Sequence, residues 1–209
     1  MVLPKALAED IARYIERACK KGENGFQNAY EDEDTITGDF LGSLRSDWKS
    51  FSNNRGRWRW KIEYKKFRGR GKNAFESSTG SDGIIQITAL NRNRNEVVRK
   101  GLLFQAKKND YFDPKLYDQC SNMEKIARNG SAIFIYKQNK YEFLTSSDFL
   151  EGEYDMDLLC FSLKEFLRCK HGLINLYWDF ESNVLHLVDG REISPTDINH
   201  ILEITTEEN

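Results

Sequence analysis

Apolar residues recur at helical spacing near the start of the chain. Between residues 4 and 21 they form one stripe. Pro4 suits the first turn of this helix, because N–H groups there have no intrahelical partner and proline lacks the N–H. A second helix is predicted to begin between Asp32 and Thr35, because carboxylates favour a helix N-terminus. The residues of these helices that we expect to face the core are Leu7, Ile11, Tyr14, Ile15, Ile36, Phe40, Leu41 and Leu44.

From Arg57 onward, apolar residues alternate with charged ones at a period of two. The stretch RWRWKIEYKKF places Trp58, Trp60, Ile62 and Tyr64 on one face. This pattern predicts a strand with one buried face and one half-exposed basic face. We expect SFSNNRGR before it and RGRGKNAFESSTG after it to be loops.

A β-hairpin is predicted on either side of NRNRN, which is a turn signal between two apolar runs. With the turn centred near residues 94 and 95, antiparallel partners should have numbers that sum to about 189. Asp82 is then predicted to lie opposite Lys107. Gln105 shares the face of Lys107, because side chains alternate along a strand. Three polar groups should therefore meet at one end of the hairpin.

The remaining pattern predicts an α/β fold. DPKLYDQCSNMEKIARNG is typical of a helix that stops at Gly130, and SAIFIYK of a buried strand. Further on, LLCFSLKEFLRCKHG predicts a helix, INLYWDFESNVLHLV a hairpin, and SPTDINHILEI a helix capped by Ser194. We expect residues 1–145 to form a core with a mixed sheet flanked by helices, and residues 146–209 a C-terminal α+β extension packed on it.

Composition places the chain among globular proteins. Of its 209 residues, 39% are hydrophobic and 31% are charged, which excludes a disordered chain. Neither a bilayer-length apolar run nor a basic-then-apolar leader is visible, so we expect a cytoplasmic protein with no membrane partner. The four cysteines form no CxxC pair, which indicates ordinary thiols rather than a zinc site.

Charge is strongly segregated along the chain. Residues 45–72 hold eleven Lys or Arg against two Asp or Glu, and residues 140–209 hold five against fifteen. Such separation is typical of a protein with one face for a polyanion. The residues that we expect to contact nucleic acid are Arg57, Arg59, Lys65, Arg68, Arg70 and Lys108.

The end of the predicted hairpin suits phosphodiester hydrolysis. The Asp82 carboxylate and the Gln105 side-chain carbonyl are oxygen ligands of the kind that divalent cations take. A cation there would activate water and stabilise charge on the phosphate. Lys107 would orient the water or offset the charge of the transition state.

The stretch SDGIIQI…GLLFQAKK resembles the PD-(D/E)XK nuclease superfamily, and residues 30–137 are similar to a group of bacterial restriction-endonuclease-like proteins. The resemblance implies a restriction-endonuclease-like core that uses Mg²⁺, with Mn²⁺ as a substitute, to cut DNA in bacterial defence. It also implies an auxiliary carboxylate ligand on the helix that carries EDEDTITGDFL. Glu33 is the first choice, with Glu31, Asp34 and the loop residue Glu76 as rivals.

Each of these residues also has a simpler, purely structural interpretation. Asp82 in GSDG is also typical of a turn, Lys107 of a solvated strand end and Glu33 of a helix N-terminus. Gln105 supplies one negative charge fewer than glutamate would. That favours a second function, a catalytically weak module that binds nucleic acid or assembles with a partner. An RNase on the same fold is a third.

Unchecked nuclease activity would harm the host cell, so we expect some form of control. A homo-oligomer, with a dimer as the first guess, and a sensor or regulatory protein are the predicted partners besides DNA. The acidic segment 146–209 is the predicted place of regulation or oligomerisation.

Overall fold

The computed structural model describes residues 2–27, 32–67, 75–93, 95–109, 114–194 and 198–209. The helices are α1 Lys5–Asn24, α2 Glu33–Ser43, α3 Phe75–Thr79, α4 Pro114–Ile126, α5 Ser146–Glu151 and α6 Leu159–Leu167. The strands are β1 Ser46–Asn53, β2 Gly56–Lys66, β3 Gly83–Leu90, β4 Glu96–Lys108, β5 Ser131–Lys137, β6 Lys140–Thr145, β7 Asp157–Leu158, β8 Leu173–Ile174, β9 Tyr177–Asp179, β10 Val184–His186, β11 Glu192–Ile193 and β12 His200–Glu208.

Most of these strands join one mixed sheet. Its order is β1-β2-β12-β3-β4-β5-β6-β7, with β8 paired to β4. The last strand, β12, is antiparallel to β2 and parallel to β3, while β4 is parallel to β5. A small sheet of order β11-β10-β9 lies apart from it.

The large sheet is covered on both faces. Helices α1, α2 and α6 pack on one face, where their apolar stripes meet residues such as Trp60, Phe104 and Leu202. Helix α4 and the small sheet cover the other face and bury Ile84 and Leu103. The chain thus has the predicted mixed sheet flanked by helices, and the eight apolar residues predicted for α1 and α2 all face the first layer.

Helices α1 and α2 lie unusually close together. A Cβ atom on Gly22 would lie 2.6 Å from Ser43 Oγ and 2.8 Å from the Phe40 ring, so only glycine fits here. Ser43 Oγ donates a hydrogen bond to the Ala18 carbonyl at 3.2 Å. At its other end α2 is capped by Asp32, which accepts from the Thr35 N–H at 2.7 Å. This packing fixes where α2 begins.

Three of the predicted elements are wrong. RGRGKNAFESSTG, predicted as a loop, contains the short helix α3 in its described part. SFSNNRGR, also predicted as a loop, forms the end of β1, the turn and the start of β2. Strand β1 is largely exposed, so it lacks the apolar alternation that reveals a half-buried strand. SPTDINHILEI, predicted as a helix, contributes residues 200–204 to β12, where Ile201, Leu202 and Ile204 are all buried because both faces of the sheet are covered.

Strand β12 also bears on the predicted division at residue 145. The division into a core and an extension stays a prediction, but the last strand of the second segment lies between two strands of the first. In the described part of the chain, no helix has the length and hydropathy that crossing a membrane requires.

Because β12 lies inside the sheet, shortening one of its core side chains should weaken the whole fold. We expect Ile204→Ala to lower the free energy of unfolding by about 2–5 kcal/mol, since it leaves a cavity between the sheet and α1. Val188→Ala, at a side chain that is 51% exposed, should change it by less than about 0.5 kcal/mol. Urea denaturation measures both. Equal small effects would show that β12 is peripheral.

Candidate active site

Four strand ends meet at one edge of the large sheet. Because β3 is antiparallel to β4 and parallel to β12, the starts of β3 and β12 lie beside the end of β4. The end of β2 joins them, since Lys66 pairs with His200. This edge therefore collects Asp82 before β3, Gln105 and Lys107 on β4, and His200 on β12.

The hairpin register differs by two residues from the predicted one. Gly83 pairs with Phe104, so Asp82 lies opposite Gln105 rather than opposite Lys107. The predicted sum of about 189 is therefore wrong, and the observed partners sum to 187 along most of the ladder. The offset arises at the turn, which is centred near residue 93, because Leu90 pairs with Glu96 and the Asn91 N–H donates to the Asn95 carbonyl. A one-residue irregularity between Ala89 and Leu90 then changes the sum from 186 to 187. An even shift preserves the face, so all three side chains still point the same way.

Asp82 is held by hydrogen bonds from β4. Its Oδ2 atom accepts from Gln105 Nε2 and from the Ala106 backbone N–H, each at 2.8 Å. Burial raises the pKa of this carboxyl from 3.8 to about 7. The Ala106 N–H and Lys107 lower the pKa, whereas Glu76 and Glu33 raise it further. The protein therefore disfavours the ionised form of Asp82, chiefly because the carboxyl is buried.

Gln105 has one satisfied and one unsatisfied side-chain atom. Its Nε2 group donates to Asp82 and, at 3.3 Å, to the Ala106 carbonyl. Its Oε1 atom is buried and has no hydrogen-bond partner among the described residues. A buried amide oxygen without a partner is costly, so it favours a bound water or cation.

Glu33 and Lys107 complete the cluster. Glu33 lies in the first turn of α2, and its Oε2 atom accepts from the Lys108 backbone N–H at 2.7 Å. Its Oε1 atom lies 4.0 Å from Lys107 Nζ, and the Lys107 side chain is only 8% exposed. The structure therefore brings Asp82, Gln105, Lys107 and Glu33 together, and their roles as metal ligands and catalytic residues stay predictions.

Three of these side chains, Glu33, Asp82 and Gln105, border a cleft of about 720 Å³, whereas Lys107 is not among its lining residues. Its lining is mostly polar, and it comprises Glu33, Asp34, Thr37, Lys66, Phe67, Glu76, Asp82, Gln105, Asn199 and His200. Such a lining suits a charged, hydrated substrate better than an apolar one.

A second group of hydrogen-bonded side chains in the cleft, centred on His200, was not predicted from the sequence. His200 is buried, and burial lowers its pKa to about 4, although Asp34 opposes the shift. The neutral ring donates from Nε2 to Asp34 Oδ1 at 2.9 Å and accepts at Nδ1 from the Tyr64 hydroxyl at 2.8 Å. Lys66 Nζ binds the other Asp34 oxygen at 2.6 Å. No spacing in the sequence signals this chain of contacts, because its members come from α2, β2 and β12.

The rival carboxylates have different positions. Asp34 is committed to His200 and Lys66. Glu76 borders the cleft and accepts from Gln119 Nε2 at 2.8 Å. Glu31 lies outside the described residues.

The predicted nucleic-acid contacts are only partly near the cleft. Lys108 adjoins Glu33, but Arg57 lies nine residues before Lys66 on β2, about 30 Å away along the strand.

Two of the other predicted contacts already have partners within the protein. Arg59 pairs with Glu207, and Lys65 Nζ lies 3.6 Å from the centre of the Phe180 ring. Arg68 and Arg70 lie outside the described residues. As contacts, all six stay predictions.

Whether the residues fit a divalent cation depends on oxygen donors. The described residues contain no cluster of three or more His, Cys, Asp or Glu side chains set for a metal. The candidate donors are instead two carboxylates, Asp82 and Glu33, and the unsatisfied Gln105 Oε1. This set suits a hard, oxygen-seeking cation such as Mg²⁺, which keeps several waters.

The raised pKa of Asp82 makes a prediction about stability. In the folded state the carboxyl holds its proton up to about pH 7, but in the unfolded state it loses it near pH 3.8, so the wild type loses stability between these values. Asp82→Asn cannot ionise. The free energy of unfolding of the variant, minus that of the wild type, should therefore rise between about pH 3.8 and pH 7. Because one pKa unit corresponds to about 1.4 kcal/mol, the total rise should be at most about 4 kcal/mol.

Urea denaturation with EDTA, repeated from acid to neutral pH, measures this difference. Asp118→Asn, at an exposed carboxylate on α4, is the matched control and should follow the wild type. A difference that does not grow with pH would contradict the assigned environment of Asp82.

Comparisons with known proteins do not assign this chain to a family. No family model, no curated protein and no solved structure matches the chain. The case for a function therefore depends on the site itself.

Proposed function

We propose that the chain is a metal-dependent nuclease of the PD-(D/E)XK type that hydrolyses phosphodiester bonds in DNA. The observation that carries the proposal is the pairing of Asp82 with Gln105 across the hairpin, with an unsatisfied Gln105 Oε1 beside two more charged groups, Lys107 and Glu33. Their order along the chain, Asp then Gln-x-Lys, is the order on which the resemblance depends. Bacterial defence is the setting that this resemblance implies.

The chain's own residues divide the work of hydrolysis. Asp82, Gln105 and Glu33 would hold Mg²⁺, which when bound supplies a water of lowered pKa and stabilises charge on the phosphate. Lys107 is held near Glu33, where its ammonium group orients the attacking water or offsets the charge of the pentavalent transition state. Glu33 accepts the Lys108 N–H, and this bond fixes α2 against the end of β4.

A second candidate function is a nucleic-acid-binding module on the same fold. The absence of a three-membered cluster of metal-binding side chains in the described residues favours it. Such a module would bind nucleic acid without regard to Mg²⁺. Cleavage separates the two functions directly.

The first experiment is incubation of the purified protein with supercoiled and linear plasmid in Mg²⁺, Mn²⁺ or EDTA. We expect metal-dependent cutting that falls at least about 100-fold in Asp82→Ala and in Lys107→Met, because each removes a group on which the transition state depends. Lys125→Met, at an exposed lysine on α4, should cut like the wild type. Circular dichroism shows whether each variant is folded.

Cutting that survives in both site variants would contradict the proposed residues. Nucleic-acid binding that is indifferent to Mg²⁺, without cutting under any condition, would favour the binding module. Cutting of RNA alone, with the same dependence on Asp82 and Lys107, would place the substrate in the other class of nucleic acid.

Gln105→Glu tests the ligand set by adding the negative charge that the site lacks. Without metal, two carboxylates would face each other across the hairpin, so the variant should be less stable than the wild type. When Mn²⁺ is bound, its positive charge attracts both carboxylates and offsets the repulsion between them. The rise in melting temperature on adding Mn²⁺ should therefore exceed that of the wild type. An equal or smaller rise would mean that residue 105 does not bind metal.

A further inference from the structure

A basic groove runs beside the cleft, between α1 and the junction of α2 with β1. We define it by four cations, Arg17, Lys21, Arg45 and Lys49. It consists of two concavities of about 530 and 540 Å³. They form one continuous groove because both are lined by Lys21, Gly42, Ser43 and Arg45.

The four cations are exposed, and their charges are not neutralised. In the part of the chain that the structure describes, none has a carboxylate oxygen within 4.0 Å. Their contacts are with uncharged groups: Arg45 Nε donates to the Gly42 carbonyl at 3.1 Å, and Lys49 Nζ lies 5.1 Å from the centre of the Tyr14 ring. Asp39 is the one described carboxylate that lines either concavity. The groove therefore attracts anions.

The groove is also held in shape. Its two walls, α1 and α2, approach closely at Gly22, and Ser43 Oγ binds the Ala18 carbonyl. The Tyr14 hydroxyl donates to the Arg45 carbonyl and so fixes the α2–β1 junction to α1. A ligand that binds here meets cations whose backbone positions are already set, which reduces the entropy lost on binding.

Helix α2 connects the groove to the candidate active site. Asp34 lines the cleft and Gly42 lines the groove, eight residues apart or about 12 Å at the rise of an α-helix. Gly38 lines the groove as well, and a Cβ atom there would lie 3.7 Å from Lys66 Nζ in the cleft. Lys66 thus lies close to both the groove and the cleft. The separation corresponds to about four base-pair steps of 3.4 Å.

The basic face predicted from the sequence is a weaker site for an anion. On the outer face of β2, Arg59 pairs with Glu207 and Lys61 pairs with Glu63. A phosphate that binds there must compete with a carboxylate for each cation. In the groove Asp39 lines one concavity, but no described carboxylate oxygen lies within 4.0 Å of any of the four cations.

We propose that the basic groove binds the phosphodiester backbone of DNA whose scissile phosphate lies in the cleft. The choice of DNA rests on the proposed function. The groove residues hold and position the duplex several base pairs from the reacting phosphate, and they take no part in hydrolysis. Exposed lysine and arginine side chains make contacts of this kind, which raise affinity without reading sequence.

The test measures binding of a short fluorescent DNA duplex by anisotropy, in EDTA so that nothing is cut, over a series of salt concentrations. Arg45→Gln/Lys49→Gln should weaken binding at least about tenfold at low salt. It should also reduce the slope of log K against log salt by about 1.8, or 0.9 for each lost phosphate contact. A second variant, Arg17→Gln/Lys21→Gln, should act in the same direction through exposed positions on α1.

The matched control is Lys125→Gln/Arg128→Gln, which removes the same charge from exposed positions at and just after the end of α4, away from the groove. We expect wild-type affinity and slope. If this control weakens binding and the two groove variants do not, the groove proposal is overturned. It is overturned equally if the wild type does not bind the duplex, or binds RNA alone.

Cleavage assays on the same variants separate this inference from the proposed function. If the wild type cuts plasmid and the groove variants bind and cut as well as it does, the groove proposal fails while the nuclease stands. If the groove variants lose binding but the wild type cuts with no metal, the nuclease fails while the groove stands as a DNA-binding surface.

Discussion

The hydrogen bonds that β12 makes on both of its edges hold the site together. One ladder runs from His200 opposite Lys66 on β2, and the other from His200 opposite Gly83 on β3. A Cβ atom at Gly83 would lie 2.2 Å from the His200 carbonyl, so the two strands can approach only because residue 83 is glycine. A slip by one residue would turn Glu203 and Thr205 into the apolar layer that Leu202 and Ile204 fill, so the register of the strand is fixed. Lys66, Asp82 and His200 are therefore fixed at one edge.

That edge concentrates negative charge in a place shielded from water. Burial is the main cause of the raised pKa of Asp82, and repulsion from Glu76 and Glu33 adds to it, although the Ala106 N–H and Lys107 stabilise the charge. A fold selected for stability alone would place an apolar or amide side chain at residue 82. Local destabilisation that a ligand can relieve is typical of a functional site. The divalent cation that we propose would relieve it and would also satisfy Gln105 Oε1.

The sequence predicts the parts of this site that depend on local periodicity. Alternation along a strand places Asp82, Gln105 and Lys107 on one face whatever the register, and this is why an error of two residues left the cluster intact. The register itself depends on where the turn is centred, near residue 93, and on a one-residue irregularity at Ala89 and Leu90, and the turn signal NRNRN fixes neither. The position of His200 depends on pairing with strands more than a hundred residues away, and local patterns do not encode it.

Charge segregation along the chain takes on a different meaning in three dimensions. The acidic C-terminal strand lies beside the basic β2, so Glu207 neutralises Arg59, and the nearby Glu208 pairs with Arg92. Part of the positive excess in residues 45–72 is therefore used to hold the sheet together. Arg45 and Lys49, at the start of that segment, remain without carboxylate partners in the described chain and join two cations from α1. The charge distribution predicts a polyanion-binding face around β2, whereas the surface that we propose for this role is the groove beside α2, close to Lys66 and the carboxylates of the cleft.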